Sequence, residues 1–277
     1  MTRLATKLNR SKKGVFLALG LTFLALVLLS LGILVLNYST SDEDTVVTLN
    51  IVDRVYELKS SIERGFFQIF NAKSGIIVNI TNQTIEFKEN LPNANNGSFS
   101  AQMTSFEDFV ERNFPNVAIE IVEIKKEVPL IITPSNVTYR HKDFGGKEIR
   151  IEGKGMLSYK ITVIISENVT GCTIEDFDPG NTNLTIFAFG TFGTNCMASQ
   201  LVDPSRDTEI EIDGVGGENI SIDLNNNIMK IKAKGSATVH SVLGFNTTQQ
   251  LHIEYPEALN IDYPDFGVNL KTAIRII

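Results

Sequence analysis

Hydrophobic and polar positions fall into three successive rhythms along this chain. Gly14 to Leu36 is an unbroken apolar run with no charged residue. At a helical rise of about 1.5 Å per residue it would reach roughly 34 Å, enough to cross a hydrocarbon core of about 30 Å. A transmembrane helix is therefore predicted over 14–36. Beyond it, Val47, Leu49, Val52, Val55, Tyr56, Ile62, Phe66, Ile69 and Phe70 recur mostly at steps of three and four. That spacing predicts an amphipathic helix over 41–74. Ser41-Asp42-Glu43-Asp44 would cap it, with acids favoured by the helix dipole, and Gly75 would close it. The two helices would join as one long rod, bent near 37–44.

From Ile76 the period drops to two. Ile76 to Ile80 and Thr84 to Phe87 read as two strands joined by Thr81-Asn82-Gln83. One more helix is predicted at Ser105 to Asn113, where Ser105 caps, Phe106, Phe109 and Val110 share a face, and Pro115 stops it. Strands follow at Val117 to Ile124, Val128 to Thr133, Glu148 to Glu152, Leu157 to Ser166, Leu184 to Phe189 and Glu209 to Ile212. Others are expected at Ile220 to Leu224, Ile228 to Ala233, Ala237 to Leu243, Gln249 to Tyr255 and Val268 to Ile277. Short strands separated by Gly, Asn, Asp and Pro favour an antiparallel β-sandwich. The fold class expected is therefore mainly β, with a sandwich domain over 76–277 behind the long N-terminal helix. It would form one sandwich, or two divided near 140–147 (RHKDFGGK).

Charge sets the orientation. Arg3, Lys7, Arg10, Lys12 and Lys13 precede the apolar run without an acid, while Asp42, Glu43 and Asp44 follow it. The positive-inside bias then leaves 1–13 in the cytoplasm and the C-terminal domain extracellular, as a single-pass protein of the cell membrane with the bilayer as partner through 14–36. A cleaved secretory signal competes, but its apolar region would be about 7–15 residues and end in an Ala-x-Ala-like site. Of 25 Lys and Arg, five lie before the run, so the remainder carries 20 − 32 = −12. A nucleic-acid partner is not expected of so acidic a surface.

Beyond the apolar run Asn-x-Ser/Thr triplets begin at Asn37, Asn79, Asn82, Asn96, Asn136, Asn168, Asn183, Asn219 and Asn246; one more, at Asn9, precedes it. Chance would give roughly three or four, so the excess points to a glycosylated surface protein. Cys172 and Cys196 are the only cysteines. An oxidising compartment would let them pair, and two cysteines without suitably spaced histidines do not make a thiolate zinc site.

Catalytic motifs are not found. His141, His240 and His252 are far apart, with no HExxH helix, and the chain has no GxSxG, GxxxxGK[ST] or GxGxxG. No cofactor and no enzymatic activity are expected. The alternative is an exported hydrolase using acids such as Glu175, Asp176 or Asp178, which would need two carboxylates of separated acidity in one cleft. Asp176, Asp178, Asn181 and Asn183 alternate oxygen ligands in a way calcium could use. An Asx-stabilised turn explains the same residues and is preferred; Asp262 and Asp265 invite the same two readings.

Within the apolar run, Gly14, Ala18, Thr22, Ala25 and Gly32 fall on one stripe at 100° per residue, a surface on which helices could approach closely in lipid. Lys12-Lys13-Gly14 stands directly before that run. In this respect the chain resembles archaeal type IV pilin-like proteins, by motif over roughly residues 10–71 and beyond that only by layout. The resemblance implies peptidase cleavage between Gly14 and Val15, bundling of the apolar helices, and self or other pilin-like subunits as partners. Many such proteins carry a glutamate five positions into the mature helix, where this chain has Leu19. The expected function is a membrane-anchored, glycosylated surface protein of structural or interaction type.

Overall fold

The computed structural model describes residues 24, 26–35, 52–93, 96–114, 117–121, 129–141, 147–175, 178–191, 193, 195–264 and 267–276. The chain divides into two compact units, Met1–Lys59 and Ser60–Ile277. In the first, residues 24, 26–35 and 52–59 are helical.

The long N-terminal helix is the principal correction to the sequence reading. Among the described residues, no helix is long and apolar enough to cross a membrane. Of the apolar run, residues 24 and 26–35 are described and are helical, with Leu28, Leu29 and Leu34 exposed. Residues 14–23, 25 and 36 lie outside the described part. So do 37–51, and of the expected amphipathic helix the described residues 52–73 are helical.

The second unit opens on the end of that helix, where Ile62, Phe66 and Phe70 are buried at steps of four. Phe66 and Phe70 meet Phe99 and Tyr255 edge-on, the Phe66 and Tyr255 centroids being 5.0 Å apart. Phe99 comes from a helix, Asn96–Asn113. It starts nine residues before the expected Ser105, because Phe99 and Met103 extend the buried face that Val110 continues. At Gly65 a Cβ would stand 2.5 Å from the Phe106 ring, so the bare backbone there admits the second helix against the first.

The strands are β1 (Ile77–Ile80), β2 (Thr84–Leu91), β3 (Ala118–Ile121), β4 (Leu130–Thr133), β5 (Val137–His141) and β6 (Glu148–Glu152). They continue as β7 (Met156–Ile165), β8 (Val169–Glu175), β9 (Pro179–Phe189), β10 (Asn195–Val202) and β11 (Thr208–Gly214). The last are β12 (Asn219–Asn225), β13 (Ile228–Ala233), β14 (Ala237–Phe245), β15 (His252–Tyr263) and β16 (Val268–Arg275). Six form one sheet, in the order β1-β2-β14-β7-β9-β10. The other ten form a second, ordered β16-β15-β4-β5-β6-β13-β12-β11-β8, with β3 also paired to β15.

The mainly β expectation stands, with one departure from antiparallel order. β7 and β9 run parallel, Ile161 opposite Ile186. A parallel neighbour needs a crossover, and β8 supplies it by leaving for the other sheet between them. The two sheets meet through alternating inward residues, among them Ile85 and Phe87 of β2, Ile161 and Val163 of β7, Ile149 and Ile151 of β6, and Ile220 and Ile222 of β12. The long β15 holds its ladder to β16 on both sides of a register shift between Tyr255 and Leu259, where Pro256 offers no N–H.

Candidate functional site

The Cys172–Cys196 disulfide fixes one end of the sandwich. Cys172 lies on β8, the last strand of the ten-stranded sheet, and Cys196 on β10, the last of the six-stranded sheet. Their Cα atoms are 6.1 Å apart, within the usual range. The bond expected of the two cysteines is present, and it ties two sheet edges that share no hydrogen-bonded ladder.

Beside this edge, the six-stranded sheet presents an unusual outer face. On β9, Leu184, Ile186 and Ala188 point inward and are buried, so Asn183, Thr185, Phe187 and Phe189 point outward. The β10 register places Leu201 opposite Asn183, Ser199 opposite Thr185 and Met197 opposite Phe187. On the other side β7 sets Lys160 opposite Thr185 and Ile164 opposite Phe189. Met197 is 66% exposed and Leu201 57%. Phe187 and Phe189 stack at 6.4 Å, and the Lys160 ammonium sits 5.4 Å from the Phe187 ring centre. Polar groups line the same rows: Thr185 and Ser199 hydroxyls are 3.1 Å apart, and the Thr185 hydroxyl donates to Asn183 Oδ1 at 3.3 Å. The sequence reading missed β10, and with it this face.

Asp176 lies outside the described residues. Asn181 and Asn183 are exposed on β9, while the Asp178 carboxylate lies 3.4 Å from Arg206. Arg206 also reaches Asp203 at 3.7 Å. Hydrogen bonds from the Ser205 hydroxyl and amide hold the Asp203 carboxyl below its ordinary value. The Arg206 guanidinium thus lies between two partly exposed carboxylates, Asp178 and Asp203. Among the described residues no group of three or more His, Cys, Asp or Glu side chains could hold a metal ion. Asp262 lies one residue before the end of β15, and Asp265 lies outside the described residues.

The three histidines stay apart. His240 of β14 lies 3.7 Å from Glu86, His252 of β15 lies 3.9 Å from Glu254, and His141 ends β5. The ten-stranded sheet carries an open polar groove of about 390 Å³, lined among others by Asp207, Glu209, Asp223 and Lys230. Glu209 stands opposite Asp223 and Asp223 opposite Lys230 across the ladder. Lys232 pairs with Asp223 at 3.2 Å, so the groove is an acid-rich charge lattice crossed by lysines rather than a lone pair of acids.

Of the acceptor triplets, Asn79, Asn82, Asn136, Asn183 and Asn246 are exposed, while Asn168 and Asn219 are half-buried. Asn37 and the side chain of Asn96 lie outside the described residues, as do Gly14, Val15, Ala18, Thr22 and Ala25; Gly32 falls in the helical stretch 26–35.

These features define a class by fold alone: a two-sheet β-sandwich closed at one edge by a disulfide. No family model matches the chain, and comparison with curated proteins and with solved structures finds no match.

Proposed function

We propose that this chain is an exported, glycosylated cell-surface protein of structural or interaction type, whose sandwich faces and turns meet a partner. The observation that carries the reading is the Cys172–Cys196 disulfide joining two sheet edges. Such a bond persists in oxidising compartments outside the cytoplasm. The five exposed acceptor asparagines support the same location.

The resemblance to archaeal type IV pilin-like proteins is part of this proposal. It rests on Lys12-Lys13-Gly14 and on a β-rich domain following an amphipathic helix. Self-assembly or assembly with related subunits would follow from it.

Two measurements on the protein from the cells that make it test the reading. A membrane-impermeant amine reagent should label surface lysines such as Lys160 in intact cells, and denaturing alkylation without reductant should find no free thiol. Labelling only after lysis, with both thiols free, overturns export. A mature N-terminus at Val15 supports the pilin-like reading, and one at Met1 or Thr2 overturns it.

A further inference from the structure

The outer face of β9 and β10 is an apolar exception on the six-stranded sheet, and it borders the β10 edge, which the Cys172–Cys196 bond holds beside β8 at one point and which no described strand pairs. β10 is an end strand of eight residues, NCMASQLV, with neither a charge nor a proline. Edge strands are ordinarily protected by such residues, because their free N–H and C=O groups invite another strand. β16, an end strand of the other sheet, carries Lys271 and Arg275. On β10 the outward residues are Met197, Ser199 and Leu201. An antiparallel second copy centred on Ser199 would set Met197 against Leu201, with nothing to oppose it.

One residue on this face can supply the missing protection. Asn183 is exposed, directly opposite Leu201, and begins the triplet Asn183-Leu184-Thr185. The Thr185 hydroxyl donates to Oδ1 of the exposed Asn183, so the amide nitrogen is the group left to be modified. A flat apolar surface flanked by Thr and Ser hydroxyls also suits sugar rings, which offer C–H faces and hydroxyl edges together.

We propose that Asn183 carries an N-linked glycan that lies over the outer face of β9 and β10 and blocks pairing at the β10 edge. The inference rests on the export reading and goes beyond it by assigning one site and its role. The donor is a lipid-linked oligosaccharide. The amide Nδ2 attacks the anomeric carbon, the C–N bond forms as the bond to the lipid phosphate oxygen breaks, the lipid phosphate leaves, and the amide proton passes to a base of the transferase.

The test is glycopeptide mass spectrometry on the full chain from the cells that make it, followed by sedimentation and apolar-dye binding on that protein, its variants and its enzymatically or chemically deglycosylated form. Sugar is expected on Asn183, lost in Asn183→Gln and Thr185→Ala and kept in Thr185→Ser. Each form without sugar should bind more dye and shift toward a concentration-dependent dimer. Deglycosylation of the already folded protein separates this effect from misfolding of a variant. A bare Asn183 with sugar at Asn79, Asn82, Asn136 or Asn246 overturns this inference alone. Bare asparagines throughout overturn it together with the glycosylated reading it rests on. Sugar at Asn183 whose removal changes neither dye binding nor sedimentation overturns the covering role.

Discussion

Phe87 and Tyr139 stack face to face between the two sheets, with ring centroids 3.8 Å apart and planes 10° from parallel. The Tyr139 hydroxyl then donates to Oε1 of Glu89, the next inward residue of β2 after Phe87. One side chain of the ten-stranded sheet therefore fills space against the six-stranded sheet and gives one oxygen of its buried carboxylate a donor. Tyr139→Phe keeps the stack but removes the donor, and should lower stability by about 1–3 kcal/mol. Tyr139→Ala loses both and should cost about 3–5 kcal/mol. The denaturant midpoint of each variant, at unchanged slope, checks the order.

The same burial fixes the response to alkali. Tyr139, Tyr159 and Tyr255 all have phenol pKa values raised above the ordinary 10.0, each chiefly by burial, with the Glu89 charge adding to it at Tyr139. In the folded chain these phenols stay neutral, while in the unfolded chain they ionise near pH 10. Their contribution is complete below about pH 10 and falls as pH rises, by up to about 1.4 kcal/mol per pH unit for each phenol. Melting curves between pH 9 and 11.5 should show this decline. Tyr159→Phe, which removes a buried hydroxyl that has no hydrogen-bond partner among the described residues, should make it shallower; an unchanged slope would contradict the assignment.

Reduction should loosen the closed edge of the sandwich. In the chain-entropy account, a disulfide spanning 24 residues contributes about 3 kcal/mol. The Cys172→Ala and Cys196→Ala double variant should lower the denaturant midpoint accordingly, and reductant should have no further effect on it. Hydrogen exchange should quicken most in β8 and β10, which are the strands the bond joins.

Gly180 occupies a place with no room for a side chain. A Cβ there would lie 2.3 Å from the Val202 carbonyl oxygen and 2.4 Å from the Asp203 nitrogen, both backbone atoms. This is the point where the β9–β10 ladder shifts register, between Leu201 and Val202. Gly180→Ala must push the two strands apart and should cost about 1–3 kcal/mol, as overpacking does. Gly155→Ala provides a contrast of another kind: nothing lies within 4 Å of its Cβ, but its φ of +83° makes the strain local to the backbone. Amide shifts should spread into β10 for the first variant and stay near residue 155 for the second.

The alternating pattern by itself determined much of the β structure, because period-two burial is a local property of a strand between two environments. Glu148–Glu152 and Ile228–Ala233 have the bounds the pattern predicts. Asn226 and Asn227 take positive φ in the turn before β13, as two-residue hairpins require. β5, β8 and β10 were not legible. Gly171 and Cys172 interrupt β8, and β10 inverts the rule by turning Met197 and Leu201 out and Gln200 in. Such segments become strands because neighbours hold them there, and local composition does not encode those neighbours. The apolar run from Gly14 set a membrane expectation from hydropathy alone, which the described helices do not meet. The Asn183 triplet and both cysteines were visible from the start. Only the tertiary structure decided that Cys172 and Cys196 close facing edges, that β7 and β9 run parallel, and that Asn183 shares a face with Phe187 and Leu201. Those relations depend on which distant strands pair and in which register, and that is set by the burial of both sheets together.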